Sequence, residues 1–338
     1  MRTVKAGSAP TLEMVGAHAG VSRATVSRVV NGSPKVSEEI AHTVRAAIAE
    51  LGYVPNRAAR SLASKQAHAI ALVVPEDMTR LFGDLYLATI IVGINDRLQE
   101  SDYVLNLMVA STDPGGKTMR YLQGGNIDGA LVVSHHTDDT FLSRLTSAIP
   151  VVFGGRPALG IEGGYVVDVD NVAGGRKGTE RLIEGGRTRI ATITGPKSMR
   201  VGTERESGFL AALADAGLTP GPVVEGDFTL RGGTEAMKKV MAQDPTIDGI
   251  FVASDLMAAG AMNVLRSMGR RVPQDVAMVG YDDSEAARST EVPLTTVRQP
   301  SEEMGAAMAD ILIAVLNGAE DRPRMTILPT ELIVRASA

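Results

Sequence analysis

The chain has 338 residues, enough for two or three domains that each bury a core. Apolar residues make up 44% and charged residues 22%, cysteine is absent, and no apolar run approaches the roughly 18 residues of a membrane span. Disulfides, thiolate metal sites, thiol nucleophiles and a transmembrane anchor are thereby excluded. The net charge of −5 is unevenly spread: residues 1–65 hold nine Lys and Arg against four acids, a net of +5, which leaves −10 on the rest. A basic head on an acidic body lets the head attract phosphate while the body avoids it.

Residues 1–10, MRTVKAGSAP, read as a basic arm that leads into no apolar signal core, so the expected location is the cytoplasm. Residues 11–32, TLEMVGAHAGVSRATVSRVVNG, read as a helix-turn-helix. Thr11 is an N-cap type, and Leu12, Val15 and Ala19 follow at helical spacing. Gly20 lets the chain leave that helix, Val21 plugs the turn, and Ser22 is a second N-cap type. Along the next helix Val26, Val29 and Val30 face inward, leaving Arg23, Ala24, Ser27 and Arg28 outside. A small, polar, cationic face suits the major groove, with Arg28 as the expected base reader. The ordinary alternative is a helical hairpin with a solvated arginine face.

Ser37, followed by Glu38 and Glu39, opens a third helix whose stripe Ile40, Val44, Ala47, Ile48 and Leu51 ends at Gly52. Tyr53-Val54-Pro55 then breaks the helix, and Asn56 can cap the next segment. RAARSLAS, residues 57–64, is too short to be a stable helix alone and is expected to fold only on DNA.

VSRATVSRVVNG at Val21–Gly32, VPNRAARSLAS, VGYDD and PLTTVRQP together resemble the LacI/GalR family of bacterial transcriptional repressors, across nearly the whole chain. Met14 and Gly16 stand where that family usually has an acid and an alanine, and glycine within a helix costs roughly 1 kcal/mol. The resemblance implies DNA contacts by Thr11, Ser22, Arg23, Ala24, Thr25, Ser27, Arg28 and Asn31. It makes residues 57–64 a hinge helix, with Ala59 and Arg60 in the minor groove and Leu62 wedging a base step open, and it adds Asn56 and Arg57 to the DNA contacts. Without the family, Leu62 is a linker residue packing on the next domain.

From His68 onward short apolar runs alternate with helical stretches. AIALVV (69–74), VLNLMV (104–109), GALVV (129–133), PVVF (150–153), IATI (190–193), GIFVA (249–253) and VAMVG (276–280) are expected strands. Helices are expected at 84–100, 173–185, 203–216 and 255–268. The fold class is therefore an all-α helix-turn-helix headpiece plus an α/β body with parallel sheets in two lobes; the body resembles periplasmic sugar-binding proteins, which implies a two-lobed periplasmic-binding-protein-like fold. The expected domains are a headpiece at 1–54, a hinge and linker at 55–67, and an effector-binding and dimerisation body at 68–338. Lobe 1 takes about 68–166 and 298–325, and lobe 2 about 167–297 and 326–338. The helix at 302–317 returns to lobe 1, and the closing ELIVR strand joins lobe 2.

Ligands of parallel sheets bind beyond the carboxyl ends of the strands. Asp282 after VAMVGY and Arg205 in SMRVGTERESGF can bond sugar hydroxyls, and both match effector contacts of the resembled family. Phe228 in EGDFTLRGG matches an aromatic that stacks on a sugar ring. Ser254 replaces a frequent asparagine, which leaves room for a larger or differently oriented ligand. Read structurally, Asp282 could cap a helix, Arg205 could pair with Glu204 or Glu206, Phe228 could be core, and Asp255 could only cap the helix it begins.

No triad is legible: of five histidines, His18, His42 and His68 fall in the headpiece or linker, and the adjacent His135 and His136 diverge. The Gly-Gly doublets lack a phosphate-loop lysine. No enzyme activity, cofactor, metal or membrane contact is expected. The expected partners are a pseudo-palindromic double-stranded operator, a mono- or oligosaccharide effector and a second copy of the chain, since one short helix cannot hold a site against competing DNA. No leucine-heptad tail follows Arg335, which speaks against a tetramer built that way. A corepressor-dependent regulator and a sugar-binding transport or sensor protein remain the alternatives.

Overall fold

A computed structural model describes residues 10–30, 33–54, 66–110, 116–157, 163–319 and 321–338. These divide into two units between Ala67 and His68. The first begins with α1 (Leu12–Ala19), which opens where Thr11 Oγ1 accepts the Met14 amide at 3.3 Å. It closes at Gly20, which adopts φ 67°. Ser22 Oγ accepts the Thr25 amide at 3.1 Å and starts α2 (Arg23–Val30). Gly16 is buried where α1 meets the turn: a Cβ there would lie 2.9 Å from the Val21 carbonyl oxygen. Close approach of the turn thus accounts for a residue that helix propensity disfavours.

The third helix, α3 (Glu38–Leu51), stops at Gly52 with φ 59°. Two details differ from expectation. Ser37 occupies the cap position in extended backbone without a side-chain bond to the helix, so Glu38 and Glu39 support that end through the dipole. Ile40 is 38% exposed and Ala41 turns inward in its place, because the first turn presents the i−3 neighbour of Val44 to the core. Val15, Val26, Val44, Ala47 and Tyr53 form that core.

The second unit carries two six-stranded sheets. Its first part runs β1 (Ala69–Val74), α4 (Met78–Gly83), α5 (Leu85–Leu98), β2 (Val104–Val109), α6 (Lys117–Gln123), β3 (Gly129–Val133), α7 (Phe141–Thr146), β4 (Val151–Gly154) and β5 (Tyr165–Val169). The chain continues through α8 (Asn171–Glu184), β6 (Ile190–Thr194), α9 (Arg200–Asp215), β7 (Val223–Glu225), α10 (Leu230–Gln243) and β8 (Gly249–Val252). It ends with α11 (Asp255–Ser267), β9 (Ala277–Asp282), α12 (Glu285–Ser289), β10 (Thr295–Arg298), α13 (Ser301–Leu316), β11 (Met325–Leu328) and β12 (Glu331–Ile333).

The first sheet has the order β11-β5-β4-β3-β1-β2 and is parallel throughout. The second has the order β12-β10-β9-β8-β6-β7, with only β12 antiparallel, against β10. Parallel strands buried on both faces explain the unbroken apolar runs. The pairing shifts the expected lobe limits by a few residues: β5 runs through residues 166–167 and β11 pairs with it, so 167–169 and 326–328 lie in the first sheet. Arg298 belongs to β10 of the second sheet, and the chain crosses back at Gln299-Pro300. On its return α13 packs Met304, Met308 and Leu312 with Leu87, Ile90 and Ile94 of α5.

Candidate functional site

In the first unit, α2 presents Arg23, Ala24 and Arg28 to solvent, while Thr25 and Ser27 are half-buried. Arg23 forms an exposed ion pair with Glu13 at 2.8 Å, so it must exchange that partner to reach a phosphate. The exposed Arg28 guanidinium has no partner among the described residues. Thr11 and Ser22 spend their hydroxyls capping α1 and α2. Helix starts of this kind also point backbone N–H groups outward, a geometry that holds phosphate. Asn31, Asn56, Arg57, Ala59, Arg60 and Leu62 lie outside the described residues.

In the second unit a cleft of about 880 Å3, counted out to its open mouth, lies at the carboxyl ends of the strands. Arg205, Phe228, Ser254 and Asp282 all line it. Arg205 is 3% exposed. Its Nε donates to Asn171 Oδ1 at 3.0 Å, its Nη1 to the Ala253 carbonyl at 2.7 Å and its Nη2 to Gln299 Oε1 at 3.4 Å. The guanidinium also lies 3.5 Å from the centroid of the Tyr281 ring. Gln299 Nε2 donates to Asp282 Oδ1 at 2.6 Å, and Arg205 Nη1 stands 3.6 Å from the same oxygen. Burial raises the Asp282 carboxyl well above the ordinary carboxylate range, against the pull of Arg205 and with Asp255 and Asp84 adding to the rise.

Ser134, Phe228 and Asp282 each lie at or just after the end of a strand with positive φ, at 58°, 61° and 115°, and all three line the cleft. Such backbone costs on the order of 1–3 kcal/mol per residue and gathers at binding sites, where it aims side chains inward. Arg80, Arg156, Arg200 and Arg205 share the lining with Asp84, Asp168 and Asp282. Within the protein Arg80 already lies beside Glu76, and Asp168 and Glu204 already hold Arg156 and Arg200, so the cleft suits a neutral ligand rich in hydroxyl groups better than a polyanion.

Residues 11–56 match the model of the "Bacterial regulatory proteins, lacI family", and residues 179–338 match a "Periplasmic binding protein-like domain". The HTH-type transcriptional regulator CelR of Thermobifida fusca is 46% identical over 336 residues, 97% of this chain and 98% of that protein. The chain belongs to the LacI family. It is a DNA-binding transcriptional repressor, not an enzyme. Among solved structures, a CelR–cellobiose complex aligns with TM-score 0.77 at 44% identity, over 97% of this chain and 100% of that one. A Lac repressor dimer bound to operator and the anti-inducer ONPF aligns with TM-score 0.85 at 29% identity, over 98% and 99%.

In this LacI-family chain the structural alternatives resolve residue by residue. Ser284, not Asp282, occupies the cap position of α12. Glu204 holds Arg200 and Arg156 rather than Arg205. Phe228, 8% exposed, belongs to the core of the second lobe and also lines the cleft. Ser254 caps α11 by accepting the Met257 amide at 3.3 Å, which leaves its O–H to donate elsewhere. Asp255 does more than begin that helix: it accepts from Thr296 Oγ1 at 2.6 Å and from the Ser284 amide at 2.8 Å.

Sequence reasoning missed Asn171 and Gln299, which orient Arg205 and Asp282, and the bonds that join the lobes. Arg156 donates to Asp168 at 2.8 Å in its own lobe and to Glu204 at 2.7 Å in the other. His136 Nδ1 lies 2.8 Å from Ser198 Oγ, and the Thr137 amide donates to the Ser198 carbonyl at 2.9 Å. The signal for Asn171 and Gln299 was their place directly after strands, had β5 and β10 been recognised.

Proposed function

We propose that this repressor is released from a pseudo-palindromic operator by a short β-linked saccharide of the cellobiose type, bound between its two lobes. The carrying observation is the buried Arg205–Gln299–Asp282 network beside Phe228. A planar guanidinium and a carboxylate held side by side serve adjacent hydroxyls, while the aromatic face receives the C–H side of a sugar ring. Similarity over the full chain to a regulator solved with cellobiose supports that ligand class.

In this reading two copies of the chain present two headpieces at residues 1–54 to two half-sites in the cytoplasm. Thr11, Ser22, Arg23, Ala24, Thr25, Ser27, Arg28 and Asn31 contact the duplex. Residues 55–67 form the hinge, with Asn56, Arg57, Ala59 and Arg60 at the minor groove and Leu62 between base pairs. Residues 68–338 bind effector and pair the chains. Effector binding biases lobe closure, and closure and operator binding are linked. A mobility-shift titration with cellobiose at fixed salt tests this: the operator complex is expected to disappear as sugar rises. Strengthening of the complex would instead mark a corepressor, and an unchanged complex would reject the sugar.

A further inference from the structure

We propose that Arg80 is the end wall of the cleft and fixes how long a saccharide the repressor accepts; this rests on the saccharide reading above. Arg80 stands on α4 between Met78 and Phe82, which are 55% and 75% exposed, yet its own side chain is only 11% exposed because it turns inward. Nε lies 3.1 Å from the Glu76 carboxylate, Nη1 donates to the Asp227 carbonyl at 3.1 Å and Nη2 to Met199 Sδ at 3.7 Å. The guanidinium reaches from the first lobe to the second and stands 5.4 Å from the Phe228 ring.

The Phe228 ring therefore has two guanidiniums near it, Arg205 at 6.0 Å and Arg80 at 5.4 Å. A sugar ring seated on Phe228 with its hydroxyls on Arg205 and Asp282 comes within reach of the Arg80 guanidinium as well. The exposed Leu85 and the half-buried Leu256 and Ala286 line the cleft as well. Glu76 is itself fixed by Ser134 Oγ at 2.6 Å and His136 Nε2 at 3.1 Å. Swinging Arg80 aside would take the cation away from this buried carboxylate and break the bond to the Asp227 carbonyl that ties α4 to the other lobe. The wall is thus rigid, and it discriminates by excluding what is too long rather than by gripping what fits.

The test is calorimetric titration of full-length wild type, Arg80→Ala and Arg80→Lys with cellobiose, cellotriose and cellotetraose. Wild type is expected to prefer the disaccharide, and Arg80→Ala to shrink the disaccharide-to-trisaccharide affinity ratio at least about tenfold, or 1.4 kcal/mol. Arg80→Lys keeps the charge beside Glu76 but lacks the fork that spans Asp227 and Met199, so its ratio should fall between the two. A ratio unmoved in a folded Arg80→Ala protein overturns the wall, as does wild type binding all three sugars equally. Should Arg80→Ala not fold, an Arg80→Lys ratio equal to wild type overturns it. Wild type that binds none of the three overturns the saccharide reading, and the wall with it.

Discussion

Asp255 shows how one buried carboxyl can tie the site to pH. It is fully buried, its oxygens meet Thr296 and Ser284, and burial pushes its pKa from the ordinary 3.8 up to about 7. The folded state thus favours the protonated acid, because burial outweighs the bonds that Thr296 Oγ1 and the Ser284 amide donate to the carboxylate. That contribution is complete below pH about 4 and is lost as pH rises through about 7, with a slope of at most about 1.4 kcal/mol per pH unit. Asp255→Asn cannot ionise and keeps an oxygen to accept from the Ser284 amide. Denaturant unfolding from pH 5 to 8 should therefore show the variant gaining on wild type as pH climbs; a constant gap between them would place the titration elsewhere. On the outer face of α2 Arg28 is exposed and without a partner among the described residues. Arg28→Ala is expected to cost roughly 1–3 kcal/mol in operator affinity and to relax preference at one base pair of each half-site, as read by binding to operators randomised at single positions.

At the scale of elements, the crossing of α8 and α9 sets where Arg205 stands. A Cβ on Gly175 of α8 would come within 2.3 Å of the Arg205 carbonyl oxygen, so the two backbones touch where the ligand-facing arginine leaves its helix. Gly175→Ala should push the helices apart at a cost of about 1–3 kcal/mol in stability. It should also weaken sugar binding while operator binding without sugar persists; calorimetry beside a mobility shift separates the two effects. The sequence makes such long, periodic elements legible: α2, α5, α9, α11 and α13 all form near their expected places, as do the apolar strands. Other elements had no such signal. β5 is interrupted by Asp168, whose carboxylate turns to Arg156 and Asn171, and β7 is only three residues long. The helices α4, α6, α7 and α12 span two turns or fewer, too short for a helical period to show. Arg205, Phe228, Ser254 and Asp282 were findable because they follow recognised strands or match family positions. Arg80 was not, since nothing in DMTRLFGD says that its arginine turns inward to a partner in the other lobe.

At the scale of the whole molecule, if a bound sugar releases DNA by closing the lobes, the bonds between the lobes carry that closure. Arg156 is the heaviest of these, because Asp168 holds it in the first lobe while Glu204, itself bonded to Arg200 at 2.6 Å, holds it in the second. Asp168 also bonds Asn171, and Asn171 bonds Arg205, so the bridge and the ligand contacts share one chain of hydrogen bonds. Arg156→Ala cuts the bridge without touching Phe228 or Asp282. If closure is what the sugar selects, the variant should need more sugar both to bind and to release operator, by the same factor, because linkage makes the two shifts equal. Loss of a half-buried charge-assisted bond puts that factor at about tenfold, or roughly 1.4 kcal/mol. If the operator-bound form lacks the bridge, operator affinity without sugar stays at the wild-type value. Calorimetry and mobility-shift titrations on the same preparation give both factors, and unequal factors would show that release does not pass through closure at Arg156.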